Sequence, residues 1–97
     1  MKAYELLLLL NPSLDEEANA AVLEKTQGVI TADGGVVDKV EPWGKRKLAF
    51  EIDKIAEGDY TVIDFHSAPS SIAELDRVLR ITDGVLRHMI VHREDRE

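Results

Sequence analysis

Apolar positions along this chain fall into six blocks whose spacing switches between strand-like and helix-like periods. Tyr4 to Leu10 is a short apolar run closed by Asn11-Pro12, which reads as a buried strand rather than a helix. Ser13-Leu14-Asp15-Glu16 matches a capping box, in which the serine and glutamate side chains satisfy backbone donors at a helix start. Asp15, Glu16 and Glu17 then fall in a first turn, where the helix dipole favours negative charge. Leu14, Ala18, Ala21, Val22 and Val29 share one helical face, and Asp33-Gly34-Gly35 ends the pattern, predicting a helix over residues 14–32.

Val36 to Ile52 is interrupted by Pro42-Trp43-Gly44, and either two strands or one bulged strand would fit. Proline inside a strand requires an edge or a bulge, and the tripeptide does not suit a two-residue hairpin turn. One long, kinked edge strand is therefore expected. Glu57-Gly58-Asp59 reads as a turn, after which Thr61, Ile63 and Phe65 alternate with Val62, Asp64 and His66. Pro69-Ser70-Ser71 opens a second helix, with Ser71 and Glu74 as another capping box and Ile72, Leu75, Val78 and Leu79 as its apolar stripe. Asp83-Gly84 ends it, and Val85 to His92 forms the last strand. Residues 94–97 are all charged and are expected to fray.

The resulting order, β-α-β-β-α-β, is that of an α+β, ferredoxin-like sandwich: a four-stranded antiparallel sheet with two helices on one face. Its 97 residues suit one domain over 1–93 with a charged end at 94–97. A composition 44% hydrophobic and 32% charged is globular. The chain has no cysteine, which excludes disulfides and thiolate chemistry. Leu6 to Leu10 is far short of the roughly 20 apolar residues of a membrane helix, so a soluble, cytoplasmic protein is expected.

With helices on one face, the other face of the sheet is open. Leu6, Leu8 and Leu10 can face the helices, which directs Leu7 and Leu9 outward, where Val62, Met89 and Val91 can join them. Such a cluster is either covered by neighbouring long side chains or forms a partner-binding patch. Tyr4, at the head of the first strand, is grouped with that patch.

Catalytic chemistry finds no support. There is no nucleophile elbow, phosphate loop or zinc-protease motif, and the carboxylates are scattered over helix starts and turns. His88 and His92 are four apart on a strand, about 13 Å, too far for one metal. His66 stands alone, so no cofactor and no small-molecule substrate are expected.

Charge adds one feature. The chain carries 12 basic and 19 acidic side chains, net −7, which disfavours general nucleic-acid affinity. Residues 1–44 are net −5 and residues 45–97 only −2, because Lys45-Arg46-Lys47, Arg77, Arg80, Arg87 and Arg93 fall in the second part. Trp43 beside Lys45-Arg46-Lys47 could stack on a base while the cations meet phosphates. On composition alone the same residues are better read as protecting an edge strand from aggregation.

Gly44-Lys45-Arg46-Lys47-Leu48-Ala49-Phe50-Glu51-Ile52 resembles the signature of the bacterial small-subunit ribosomal protein S-six family. Tyr4-Glu5, Asn11-Pro12, Trp43-Gly44 and the block from Leu79 to Val91 are similar to that family in the same order, across essentially the whole chain. The resemblance implies a non-catalytic ribosomal component that binds 16S ribosomal RNA together with ribosomal protein S-eighteen as a heterodimer. It marks Arg80 and Arg87; with the basic cluster Trp43, Lys45, Arg46 and Lys47, these are expected to contact RNA, while the open-face set Tyr4, Leu7, Leu9, Val62, Met89 and Val91 is expected to meet the protein partner. Phe50 stands where the family often has tyrosine. Many relatives carry a charged C-terminal extension that helps hold the partner, whereas this sequence stops at Glu97, so a heterodimer that is either weaker or more dependent on the sheet is expected. The alternative is a single-strand binder like the RNA-recognition motif, which shares the topology. Tyr60-Thr61-Val62-Ile63-Asp64-Phe65 does not supply that module's aromatic run. Acylphosphatases also share the topology, but Leu10-Asn11-Pro12-Ser13 lacks their glycine-rich, arginine-bearing loop.

Overall fold

A computed structural model describes residues 1–52 and 54–97. The elements are β1 (Lys2–Leu10), α1 (Glu16–Ala32), β2 (Val36–Ile52), β3 (Ile55–Ser67), α2 (Ile72–Ile81) and β4 (Val85–His92). Short 3-10 turns precede α2 at Pro69–Ser71 and follow β4 at Glu94–Arg96. The strands form one antiparallel sheet in the order β2-β3-β1-β4, the ferredoxin-like arrangement expected from the element order. No helix among the described residues is long and apolar enough to cross a membrane.

The core follows from the strand period. Leu6, Leu8 and Leu10 of β1 and Ile63 and Phe65 of β3 point to the helix side, where they meet Val22 and Ile30 of α1 and Leu75 and Leu79 of α2. Each such side chain contributes about 1.5–3 kcal/mol by leaving water. The buried face of α1 is Val22, Thr26 and Ile30, and Ala21 from the expected stripe is exposed. Thr26 is tolerated there because its hydroxyl donates to the Val22 carbonyl at 2.8 Å.

Both helix starts differ from the capping boxes read in the sequence. The backbone N–H and hydroxyl of Ser13 donate to Asn11 Oδ1 at 2.9 and 2.8 Å, so Ser13 is engaged in a local turn. Asp15 caps α1 instead, accepting from the Ala18 N–H at 2.7 Å. Ser71 makes no cap: its hydroxyl donates to the Asp33 carboxylate at the end of α1 and ties the two helices together.

β2 is one 17-residue edge strand, with a register shift between Pro42 and Gly44. Gly44 has φ of 82°, the left-handed conformation that a bulge of this kind needs and that glycine adopts without strain. β3 begins at Ile55, earlier than the alternation suggests, and Ile52 pairs directly with Ile55. Glu57-Gly58-Asp59 is therefore strand rather than turn. Gly58 is glycine for a steric reason: a Cβ there would lie 2.0 Å from Leu9 Cδ1 and 3.3 Å from Leu48 Cδ2. Residues 94–97, expected to fray, are held against the sheet by the contacts described below.

A candidate RNA and protein interface on the open sheet face

Register decides which side chains share the open face. Glu5, Leu7 and Leu9 of β1 lie opposite Asp64, Val62 and Tyr60 of β3, and opposite Val91, Met89 and Arg87 of β4. Glu41 pairs with Val62, Gly44 with Tyr60 and Arg46 with Gly58, which extends the face onto β2. The far arm of the β2–β3 hairpin borders this surface. Leu48 and Phe50 from the arm, with Leu7, Leu9, Tyr60, Arg87 and Met89 from the sheet, line a groove of about 260 Å³.

The expected apolar patch is therefore assembled, but its members differ in what they leave accessible. Met89 is 52% exposed, Val91 is also exposed, and Leu7 is half-buried. Leu9, at 4%, is packed against Gly58 and Leu48, and Val62 is likewise buried. Tyr4 lies outside the patch. It is on the helix side, in the core, with its ring 5.6 Å from Phe65 and 5.3 Å from His92. Even-numbered β1 positions face the helices, and Tyr4 is one of them. Phe50 is the residue that sequence reasoning missed: at 84% exposure it projects an aromatic ring at the groove's rim.

The cations also separate. Lys45 and Lys47 sit opposite Asp59 and Glu57 on the helix side of the ribbon, whereas Arg46 has only Gly58 opposite it on the open side. Arg46 Cζ lies 5.8 Å from the centre of the Trp43 ring, a cation–π arrangement that holds the two together. Lys45, Arg46, Lys47 and Arg87 form no ion pair among the described residues. Arg80 is different: it projects from the end of α2 and is paired with Asp76. Asp76 also receives His88, with Nε2 2.6 Å from Oδ1. The His88 ring, with Arg80 beside it, holds the Asp76 carboxyl below the usual carboxylate range.

The three histidines each find a carboxylate rather than one another. His66 Nδ1 is 2.6 Å from Asp38 Oδ2, and His92 Nε2 is 2.5 Å from Glu97 Oε1. No group of three or more potential ligands converges among the described residues.

At the other end of the open face, the segment after β4 folds back. Arg93 Nη1 lies 3.2 Å from Glu5 Oε2, and Arg96 bridges Glu5 and Asp64 at 3.4 and 2.7 Å. The His92 ring, as a hydrogen-bond donor, holds the Glu97 carboxyl below its ordinary value.

The family described as Ribosomal protein S6 matches residues 3–92. The chain belongs to the ribosomal protein S6 family. It is 56% identical over 94 residues to the small ribosomal subunit protein bS6 of Clostridium novyi, covering 97% of this chain and 99% of that protein. The bS6 protein of Clostridium beijerinckii is 53% identical over the same share. The crystal structure of 30S ribosomal protein S6 from Thermotoga maritima superposes with a TM-score of 0.91 at 36% identity, covering 97% of this chain and 89% of that one. This S-six family chain is thus a structural protein of the bacterial small ribosomal subunit and not an enzyme, which places it with the ribosome in the cytoplasm.

Proposed function

We propose that the chain binds 16S ribosomal RNA together with ribosomal protein S-eighteen, as a heterodimer that joins the central domain of the small subunit. The observation that carries this reading is the arrangement of the open face: Arg46 and Arg87, with no ion pair among the described residues, beside an apolar groove with an exposed aromatic rim. Arg46, Arg87 and Trp43 supply phosphate contacts and a stacking surface, which position the protein without reading sequence. Lys45 and Lys47 add charge from the other side of the ribbon, and Arg80 contributes less because Asp76 already engages it. Leu7, Met89, Val91 and Phe50 offer the partner apolar area, while Leu9 and Val62 support them from beneath. An acidic chain can deliver a basic partner to RNA while adding only a few cations of its own.

An RNA-recognition-motif reading fits less well. Its bases would stack on aromatic residues of the two central strands, and among the described residues the open side of β1 and β3 carries Tyr60 but no Phe or Trp, with His66 already engaged by Asp38.

The test is assembly of the heterodimer on a central-domain RNA fragment across a salt series, with Arg46, Arg87 and Arg80 each changed to Gln. Losing one phosphate contact should lower the salt slope by about 0.7–0.9. The expected order of effect is Arg46 and Arg87 above Arg80. Wild-type slopes in all three variants would refute the RNA-contact assignment and leave the protein partner as the anchor.

A further inference from the structure

Glu5 and Asp64 are direct cross-strand neighbours on the open face, and like charges in that relation repel. The chain neutralises them itself. A single turn after β4 brings Arg93 and Arg96 onto both carboxylates. The turn is fastened further by the Arg93 N–H donating to the Ala3 carbonyl at 2.8 Å and the Ala3 N–H donating to Glu97 Oε1 at 3.2 Å. The arginines and the carboxylates they bridge are about two-thirds covered, in contrast to the open Lys39–Glu41 pair.

Nothing apolar holds this turn: none of its residues is buried. Contacts of that kind are screened by salt and open at low cost, independently of the core. The turn also covers the acidic half of the surface whose other half carries the groove. A basic protein approaching the groove would bring its own guanidinium or ammonium groups to the same carboxylates.

We infer that the Arg93–Glu97 turn is an autoinhibitory strap: its arginines occupy Glu5 and Asp64 in the free protein, and a basic protein partner must displace them to dock. This rests on the heterodimer reading above. RNA is the wrong chemistry for this half, since its phosphates would meet two carboxylates. Competition by an internal segment lowers apparent affinity by the fraction of time the site is covered, so removing the strap's charges raises it.

The experiment compares the full chain with R93Q/R96Q and R93K/R96K in binding to purified S-eighteen at low and high salt, after circular dichroism has established that each is folded. The expected result is about three- to tenfold tighter binding for R93Q/R96Q at low salt, with the gap narrowing at high salt and R93K/R96K returning toward wild type. A second readout needs no partner: the Ala3 amide, which donates to Glu97, should lose hydrogen-exchange protection in R93Q/R96Q while the Leu8 amide keeps it. Equal or weaker binding by R93Q/R96Q would overturn the strap and leave the heterodimer intact. Binding by none of the three proteins would overturn the heterodimer itself, and the strap with it.

Discussion

The two ends of the open face handle charge in opposite ways. Around Glu5 and Asp64, acids are met by arginines of the same chain, and the surface is closed by its own turn. Around Leu9 and Tyr60, some 13 Å further along β1, Arg46 and Arg87 form no ion pair among the described residues and the hairpin arm borders an apolar groove. Net charge alone would assign both ends to one acidic protein. The local pairing of charges, not their sum, distinguishes a surface that is already satisfied from one that can still gain contacts.

Breaking the groove end from within should have the largest effect. Leu9→Glu places a carboxylate against Gly58 and Leu48, and it should cost more than about 3 kcal/mol or prevent folding, measured by urea denaturation. Met89→Glu, on the same face but exposed, should stay within about 0.5 kcal/mol of wild type while weakening partner binding. Equal destabilisation by the two would show that the groove is core rather than surface. Gly58→Ala comes next: the added methyl must push Leu9 aside, an overpacking cost of about 1–3 kcal/mol read in the same assay.

At the strapped end, Asp64→Asn should lower stability by at most about 1 kcal/mol, because the pair it breaks with Arg96 is partly solvated. A greater loss would mean that the turn is structural cement rather than a detachable cover. The smallest effect concerns pH. Asp76, held below the ordinary carboxylate range by His88 and Arg80, contributes stability that is present at neutral pH. That contribution is lost as pH falls through the ordinary range toward the lowered folded value. Asp76→Asn should therefore flatten the acid limb of a Tm-against-pH curve between about pH 5 and pH 2.

Periodicity made the fold readable. The alternation Thr61-Ile63-Phe65 fixed the inner face of β3, and proline at position 42 correctly demanded one bulged edge strand. What failed was local: Ser13 and Ser71 fit a capping pattern, but side-chain acceptors at Asn11 and Asp33 compete for their hydroxyls. Gly58 carried the composition of a turn and the job of a packing spacer, which only the position of Leu9 reveals. The site was legible in part. Alternation assigns Leu7, Met89 and Arg46 to the open side, and the same alternation, applied to its even-numbered position, puts Tyr4 in the core. The strap was not legible, because ion pairs between residues 32 to 91 positions apart leave no periodic trace.

The strand order also sets a timetable for synthesis. β1, the first element made, lies at the centre of the sheet, with Leu6 paired on one side to Ile63 and on the other to Ile90. Once Ser67 completes β3, another 25 residues must be added before His92 completes β4. At roughly 5–20 residues per second, that interval lasts about one to five seconds. Throughout it, the leucine-rich β1 presents an unpaired hydrogen-bonding side and the core lacks one wall. The nascent domain therefore passes through its most aggregation-prone form just before β4 is added, and a chain cut after Ile81 would remain in that form.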